Sequence, residues 1–113
     1  MDDREAGYLW DIIQAGEEIA QFISGKRPSD FESDRMLRLA VERDLEIIGE
    51  AARRLSPTFR EAHPDVPWSS VISLRNVLAH DYGEVKLERI WIIVKERVPE
   101  LIAELKSELP PSA

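Results

Sequence analysis

The stretch "LRLAVERDLEIIGEAARRL", residues 37–55, carries apolar side chains at steps of three and four residues. This spacing places them along one face of an α-helix, which has about 3.6 residues per turn. The apolar positions are Leu37, Val41, Leu45, Ile48, Ala52 and Leu55. We predict a helix from about Ser33 to Leu55, with Ser33 or Asp30 as its N-cap. A helix with one apolar face buries that face against other elements, so this stretch predicts a helical core.

Two further stretches carry the same helical spacing, and no stretch shows the sustained alternation of a half-buried strand. The first predicts a helix from about Arg4 to Ser24, after which Gly25 and Pro28 interrupt the pattern. The other predicts a helix from about Val85 to Leu109. Pro99 should kink this last helix, because proline lacks a backbone donor and crowds the preceding turn.

A proline-rich connector joins the helix at residues 37–55 to the next one. Ser56 followed by Pro57 is typical of an N-cap and the first position of a short helical turn. Pro67 ends the connector, so a helix should begin near Trp68 and end with Gly83 as its C-terminal cap. The pattern predicts an all-α fold: an antiparallel four-helix bundle with a short extra helical turn in the connector.

The length and composition predict one globular domain. The chain has 113 residues, of which 43% are hydrophobic and 33% charged, as in ordinary globular proteins. We assign residues 1–109 to this domain and expect a disordered tail at residues 110–113. The opening "MDDREAG" lacks the features of a secretory signal, and the longest purely apolar run, residues 90–94, is too short to span a membrane. We therefore expect a cytoplasmic protein without membrane association.

The residue usage limits the classes of function. A net charge of −7 repels nucleic acid at long range, so RNA or DNA binding would need a local cationic pocket. Eleven of the fifteen basic residues are arginines, which bind phosphate through a planar fork. The chain has no cysteine, which excludes disulfides and cysteine-based chemistry. His63 and His80 do not form an HxxxH pair, so we predict neither a metal site nor a cofactor.

One short stretch, "SLRNVLAHDYGEV" at residues 73–85, concentrates the side chains that could do chemistry. On a helix, Arg75 and Tyr82 lie about 20° apart around the axis, and Asn76 and His80 form a neighbouring stripe at i, i+4 spacing. The apolar residues of the stretch should face the bundle, namely Leu74, Val77 and Leu78. The remaining face would present a guanidinium, an amide, an imidazole and a phenol.

These side chains include groups that could act in catalysis. His80 could remove a proton near neutral pH, and Arg75 could stabilise a negatively charged transition state. Asn76 could orient the imidazole or donate to a phosphate oxygen, and Tyr82 could position the substrate. Arg75 and His80 lie about 140° apart around one helix, so a second copy of the chain, related by a two-fold axis, could complete the site.

Structural interpretations of the same residues remain open. Arg75 could form an ion pair with Asp81, and His80 could interact with the dipole at the end of its helix. His63 could be a solvated residue of the connector. Four glutamates at four-residue spacing, Glu96, Glu100, Glu104 and Glu108, could form a solvated face or a surface for a basic partner. Gly49 should permit a close helix contact.

The Arg-x4-His-x-Tyr arrangement in "RNVLAHDY" resembles the signature of the HEPN superfamily of small helical ribonucleases. More narrowly, "EIIGEAARRL", "VPWSSVISLRN", "AHDYGEV" and "IWIIVKERVPEL" resemble the HepT-like toxins. The resemblance implies a four-helix toxin subunit that forms a homodimer and cuts RNA without metal. Such cleavage needs a base near the 2′-hydroxyl, which His80 could supply, and a cation for the charged phosphorane, which Arg75 could supply. The resemblance also implies a partner, a minimal nucleotidyltransferase antitoxin, that transfers AMP to the motif tyrosine, here Tyr82.

Two other functions remain compatible with the sequence. The chain could be a non-catalytic binding subunit that presents substrate, or its own Tyr82, to a nucleotidyltransferase. It could also be a helical bundle with a role in assembly alone. Cleavage of RNA by the purified protein would distinguish the ribonuclease from both.

Overall fold

The computed structural model describes residues 2–80 and 83–109, apart from the side chains of Glu84 and Val85. This part of the chain is helical and contains no strand, which confirms the predicted fold class. The α-helices are α1 (Asp3–Ile23), α2 (Pro28–Ser33), α3 (Arg35–Arg54), α4 (Pro57–Glu61), α5 (Trp68–Ile72), α6 (Leu74–His80), α7 (Gly83–Ile92) and α8 (Val98–Leu105). The tail predicted at residues 110–113 lies outside the described residues.

The predicted helix from Ser33 to Leu55 corresponds to α3, and a separate short helix, α2, precedes it. Asp34 caps α3 by accepting a hydrogen bond from the backbone N–H of Leu37 at 3.1 Å. The predicted cap was therefore wrong. Asp30 instead accepts from the N–H of Arg27 at 2.8 Å and belongs to α2, which has Pro28 in its first turn. Proline at the start of α2 and a new cap at Asp34 give each helix its own beginning.

The connector contains the predicted short helix. Ser56 caps α4 through the N–H of Phe59 at 3.1 Å, and Pro57 occupies the first turn. The indole Nε1 of Trp68 donates to the carbonyls of Arg60 and His63, both at 3.0 Å. These bonds tie the connector to the start of α5.

His63 does not point into solvent, so its interpretation as a solvated residue was wrong. Its ring packs on Phe59 with centroids 4.7 Å apart, and its side chain is 13% exposed. The ring nitrogens lie 3.7 Å from Glu104 Oε1 and 3.8 Å from Glu108 Oε1. Two of the four regularly spaced glutamates thus border the connector, so they do not belong to a wholly solvated face.

The predicted third helix is interrupted at Ser73, which separates α5 from α6. The Ser73 hydroxyl donates to the carbonyl of Ser69, a form of back-bonding that bends helices. Gly83 has φ +61°, a left-handed conformation that glycine adopts readily. It begins α7, and so it is the first residue of the next helix.

Pro99 disturbs the last helix by changing its hydrogen-bond register. A π-helical turn, Ile93–Arg97, precedes α8, and the N–H of Val98 bonds the carbonyl of Ile93, five residues back. Proline lacks the N–H that would continue the regular ladder. A 3₁₀ turn, Lys106–Glu108, follows α8.

The bundle is organised around α1 and α3, which run antiparallel. Glu5 Oε1 accepts from the N–H of Ser56 at 2.8 Å, and Glu18 lies against Asp44 in the middle of α3.

Gly16 allows α8 to approach α1 closely. A Cβ on Gly16 would lie 2.4 Å from Ile102 Cδ1 of α8. The described part of the chain contains no helix both long and apolar enough to cross a membrane.

Candidate functional site

The short helix α6 divides into an apolar side and a polar side. Leu74 is buried, and Val77 and Leu78 are half-buried. Arg75, Asn76, Ala79 and His80 are all exposed. This arrangement confirms that the three described polar side chains of the motif face outward from one helix. Their chemical role stays a prediction.

Tyr82, the fourth predicted site residue, lies outside the described residues. So does Asp81, the proposed ion-pair partner of Arg75. Within the part of the chain that the structure describes, Arg75 forms no ion pair. Its guanidinium therefore remains available to an anion from solution, as far as those residues are concerned.

A close contact with α3 fixes the start of α6. A Cβ on Gly49 would lie 3.3 Å from the carbonyl oxygen of Val71 and 3.6 Å from that of Ile72. It would also lie 3.8 Å from Leu74 Cβ. Gly49 thus lets α3 approach the chain closely at the α5–α6 break, which confirms the close helix contact predicted at this glycine. The contact fixes the position at which the motif helix begins.

Two arginines of α3 are engaged with a carboxylate. Glu50 Oε1 lies 2.7 Å from Arg53 Nη2 and 3.0 Å from Arg54 Nε. The hydrogen bond from Arg53, followed by that from Arg54, lowers the pKa of Glu50 to about 2. The Glu50–Arg54 pair has the i, i+4 spacing of an ordinary helix-surface pair, so these arginines have a structural role.

An apolar groove of about 770 Å³ lies beside α6. It separates α5 and α6 from α7, the π-helical turn and α8. Val77 of α6 and Ile48 of α3 line it, as does Ile92 of α7, which is 47% exposed. His80 follows Val77 by three residues, so their directions differ by about 60° around the helix. The groove therefore borders the side of α6 that carries His80.

The groove is lined by charges of both signs. Arg89 and Arg97 line it together with Asp65, Glu100 and Glu104, and Arg97 Nη1 lies 3.5 Å from Glu100 Oε2. The described residues contain no group of three histidine, aspartate or glutamate side chains that could hold a metal ion. The sequence did not reveal the groove, because helical periodicity does not specify how far two neighbouring helices stand apart.

Most of the chain resembles a set of known proteins. Residues 12–108 match the family described as Ribonuclease HepT-like. A Methanocaldococcus jannaschii protein named as a candidate RNase is 39% identical over 99 residues, 88% of this chain and 91% of the relative. A Caldanaerobacter subterraneus protein, also named as a candidate RNase, is 38% identical over 102 residues, 90% and 91% of the two chains.

A Thermococcus cleftensis protein named "Probable ribonuclease HepT" is 39% identical over 94 residues, 83% of this chain and 86% of the relative. No solved structure matches the chain with statistical significance. The match of the family model to most of the chain agrees with the all-helical fold and with the order of the motifs. The chain belongs to the HepT-like ribonuclease family.

Proposed function

We propose that this protein is an RNA-cleaving toxin whose site is built from Arg75, Asn76, His80 and Tyr82. The observation that carries the proposal is the outward display of Arg75, Asn76 and His80 on one short helix of a HepT-like ribonuclease. Arg75 is exposed although arginine is often held by nearby carboxylates, as Arg53 and Arg54 are here. An exposed guanidinium offers the local cation that an acidic protein needs to bind RNA.

The proposed reaction is an internal attack within RNA. His80 removes the proton of a 2′-hydroxyl, and the resulting oxyanion attacks the adjacent phosphorus. Arg75 stabilises the charge of the phosphorane. The bond to the 5′-oxygen then breaks, and that oxygen takes up a proton from water. The products carry a 2′,3′-cyclic phosphate and a 5′-hydroxyl, and no step is assigned to a metal.

A homodimer would bring the two sides of the site together. Arg75 and His80 point about 140° apart on α6, whereas the groove beside His80 exposes apolar residues that include Ile92. A two-fold axis pairs each surface with its own copy. The groove lining carries both arginines and carboxylates, so two copies could place opposite charges against each other across the axis.

The proposed regulation is transfer of AMP to Tyr82 by a minimal nucleotidyltransferase antitoxin. The support is the family resemblance and the place of Tyr82 in the sequence, two residues after His80 and next to Gly83. An AMP group carries a negative phosphodiester that Arg75 could bind. The AMP group of the modified protein would then occupy the site at which RNA binds.

The direct test is cleavage of single-stranded RNA by the purified, unmodified protein in EDTA. We expect fragments with 2′,3′-cyclic phosphate ends, and a rate lower by about 10²- to 10⁴-fold in His80→Ala, the usual contribution of a positioned acid or base. Arg43→Ala is the control for Arg75→Ala, because Arg43 is an exposed arginine paired with Glu46 on α3. Cleavage that survives His80→Ala, or that needs a divalent metal, would contradict the mechanism.

A further inference from the structure

An ion pair holds the first turn of α7 against α3. Lys86 Nζ lies 2.9 Å from Glu42 Oε1, and the two side chains are only 24% and 22% exposed. The pairs that Arg43, Arg54 and Arg97 form with glutamates differ from it, since they join residues three or four positions apart and are largely exposed. Exposed pairs contribute little to structure. A half-buried pair between two helices constrains their relative position more strongly, because an unpaired charge left there is costly.

This ion pair and the Gly49 contact lie on either side of the motif. Gly49 meets the chain at Val71 and Ile72, just before α6, and Glu42 meets it at Lys86, just after the start of α7. Glu42 and Gly49 are seven residues apart on α3, about two helical turns. One helix therefore supports both ends of the segment 75–85, which carries every predicted site residue.

The second support acts close to the proposed base. Only two residues separate His80 from Gly83 in the sequence, and a chain of that length limits how far the end of α6 can lie from the start of α7. Misplacement of a reacting group by about 1 Å can lower a rate by about 10²-fold. The position of α7 thus bears on where His80 lies.

We propose that Lys86 and Glu42 are positioning residues for the motif, acting on His80 through the start of α7. The inference rests on the proposed ribonuclease function. The sequence gives no sign of it, since the two residues are 44 positions apart and belong to different helices.

Single and paired substitutions test the proposal. Lys86→Met and Glu42→Gln should each lower kcat by about tenfold, and the reversed pair Glu42→Lys/Lys86→Glu should recover at least half of the wild-type kcat. Direct RNA binding by Lys86 predicts a different pattern: Lys86→Met would raise KM, whereas Glu42→Gln would lower it. Glu46→Gln is the matched control, because Glu46 lies one turn further along α3 in an exposed pair.

A second measurement separates this inference from the proposed function. The chain has two histidines, so the imidazole NMR signals are assigned with His80→Ala. At fixed pH, the His80 signal should shift in Lys86→Met and Glu42→Gln and return in the reversed pair, while the His63 signal stays in place. Wild-type protein that does not cut RNA would refute the function, and the NMR shifts would still test the positioning.

One result would overturn the positioning role: both single variants fold, as judged by circular dichroism, and either have the wild-type kcat or show no shift of the His80 signal. If Lys86→Met does not fold, Glu42→Gln alone tests the positioning role. That variant keeps the Lys86 charge, and the Lys86 side chain is partly exposed to solvent.

Discussion

At the scale of single residues, Asp44 is the one buried charged residue among the side chains that the structure describes, with 6% of its surface exposed. It lies on α3 facing Glu18 of α1. Burial, then the charge of Glu18 and a hydrogen bond with it, raises the pKa of Asp44 to about 6 from 3.8, and Arg43 offsets part of this rise. Asp44 therefore keeps its proton in mildly acidic solution and can donate it to the Glu18 carboxylate.

This arrangement predicts stability that falls as the pH rises. The folded pKa is above the unfolded one, so the folded state binds more protons between pH 3.8 and about 6, and the free energy of unfolding decreases through that window. Asp44→Asn should remove this dependence and raise the melting temperature at pH 7.5 by roughly 4 °C, the effect of about 1 kcal/mol. The control is Asp11→Asn, an exposed acid on α1. Calorimetry that finds the same pH profile in Asp44→Asn would refute the raised pKa of Asp44.

A second prediction concerns Tyr82. With a cognate nucleotidyltransferase, ATP and magnesium, intact mass should increase by one or more adenylyl units, and peptide mapping should place them on Tyr82. Tyr8→Phe is the control, because Tyr8 packs against the core and should leave labelling unchanged. Tyr82→Phe should accept no label. Labelled protein that cuts RNA at the full rate would contradict the proposed regulation.

At the scale of elements, local signals predicted some helix ends and missed others. The Ser56-Pro57 start of α4 was predicted because cap and proline adjoin. Asp34 was missed because Asp30, Ser33 and Asp34 are all good caps within five positions, and their rank depends on the tertiary packing of α2. The break at Ser73 was missed for a related reason: serine is tolerated in helices, and the Ser73–Ser69 hydrogen bond and the Gly49 contact that accompany the break cannot be inferred from spacing.

The substitution Gly49→Ala tests the contact between α3 and the α5–α6 break. Alanine normally stabilises a helix by about 1 kcal/mol over glycine, but at position 49 its Cβ would press on the Val71 carbonyl at 3.3 Å. We expect Gly49→Ala to gain none of that stability and to lower ribonuclease activity severalfold by displacing α6. Gly7→Ala is the control, since no atom lies within 4 Å of its Cβ and it should raise the melting temperature. Equal gains from both substitutions would show that the Gly49 contact is not restrictive.

At the scale of the whole molecule, the sequence predicted the helical class and the apolar faces, because both follow from spacing along the chain. It also predicted that Arg75, Asn76 and His80 would share an outward face of one helix. It did not predict the groove or the Glu42–Lys86 pair, because both depend on which helix faces meet and at what distance. These long-range features are the ones on which the proposed dimer and the proposed positioning depend.

The groove predicts how the oligomer and the activity are linked. Ile92→Glu would place a charge on its apolar lining, so we expect a monomer by light scattering at micromolar concentration and a loss of RNA cleavage of at least tenfold. Leu39→Glu is the matched control, because Leu39 is 49% exposed, close to the 47% of Ile92, but does not line the groove. A wild-type monomer that cuts RNA would remove the basis for a shared site.

Mixing two inactive variants tests whether each site uses both chains. Arg75→Ala and His80→Ala each lack one group, and a heterodimer would contain one site with both groups if they come from different chains and none if they come from the same chain. Since half of a randomly exchanged population is heterodimer and each heterodimer has one intact site, recovery should approach a quarter of the wild-type activity. Adding Ile92→Glu to both variants should abolish the recovery. Exchange demonstrated by mass, without any recovery, would assign Arg75 and His80 of one site to the same chain.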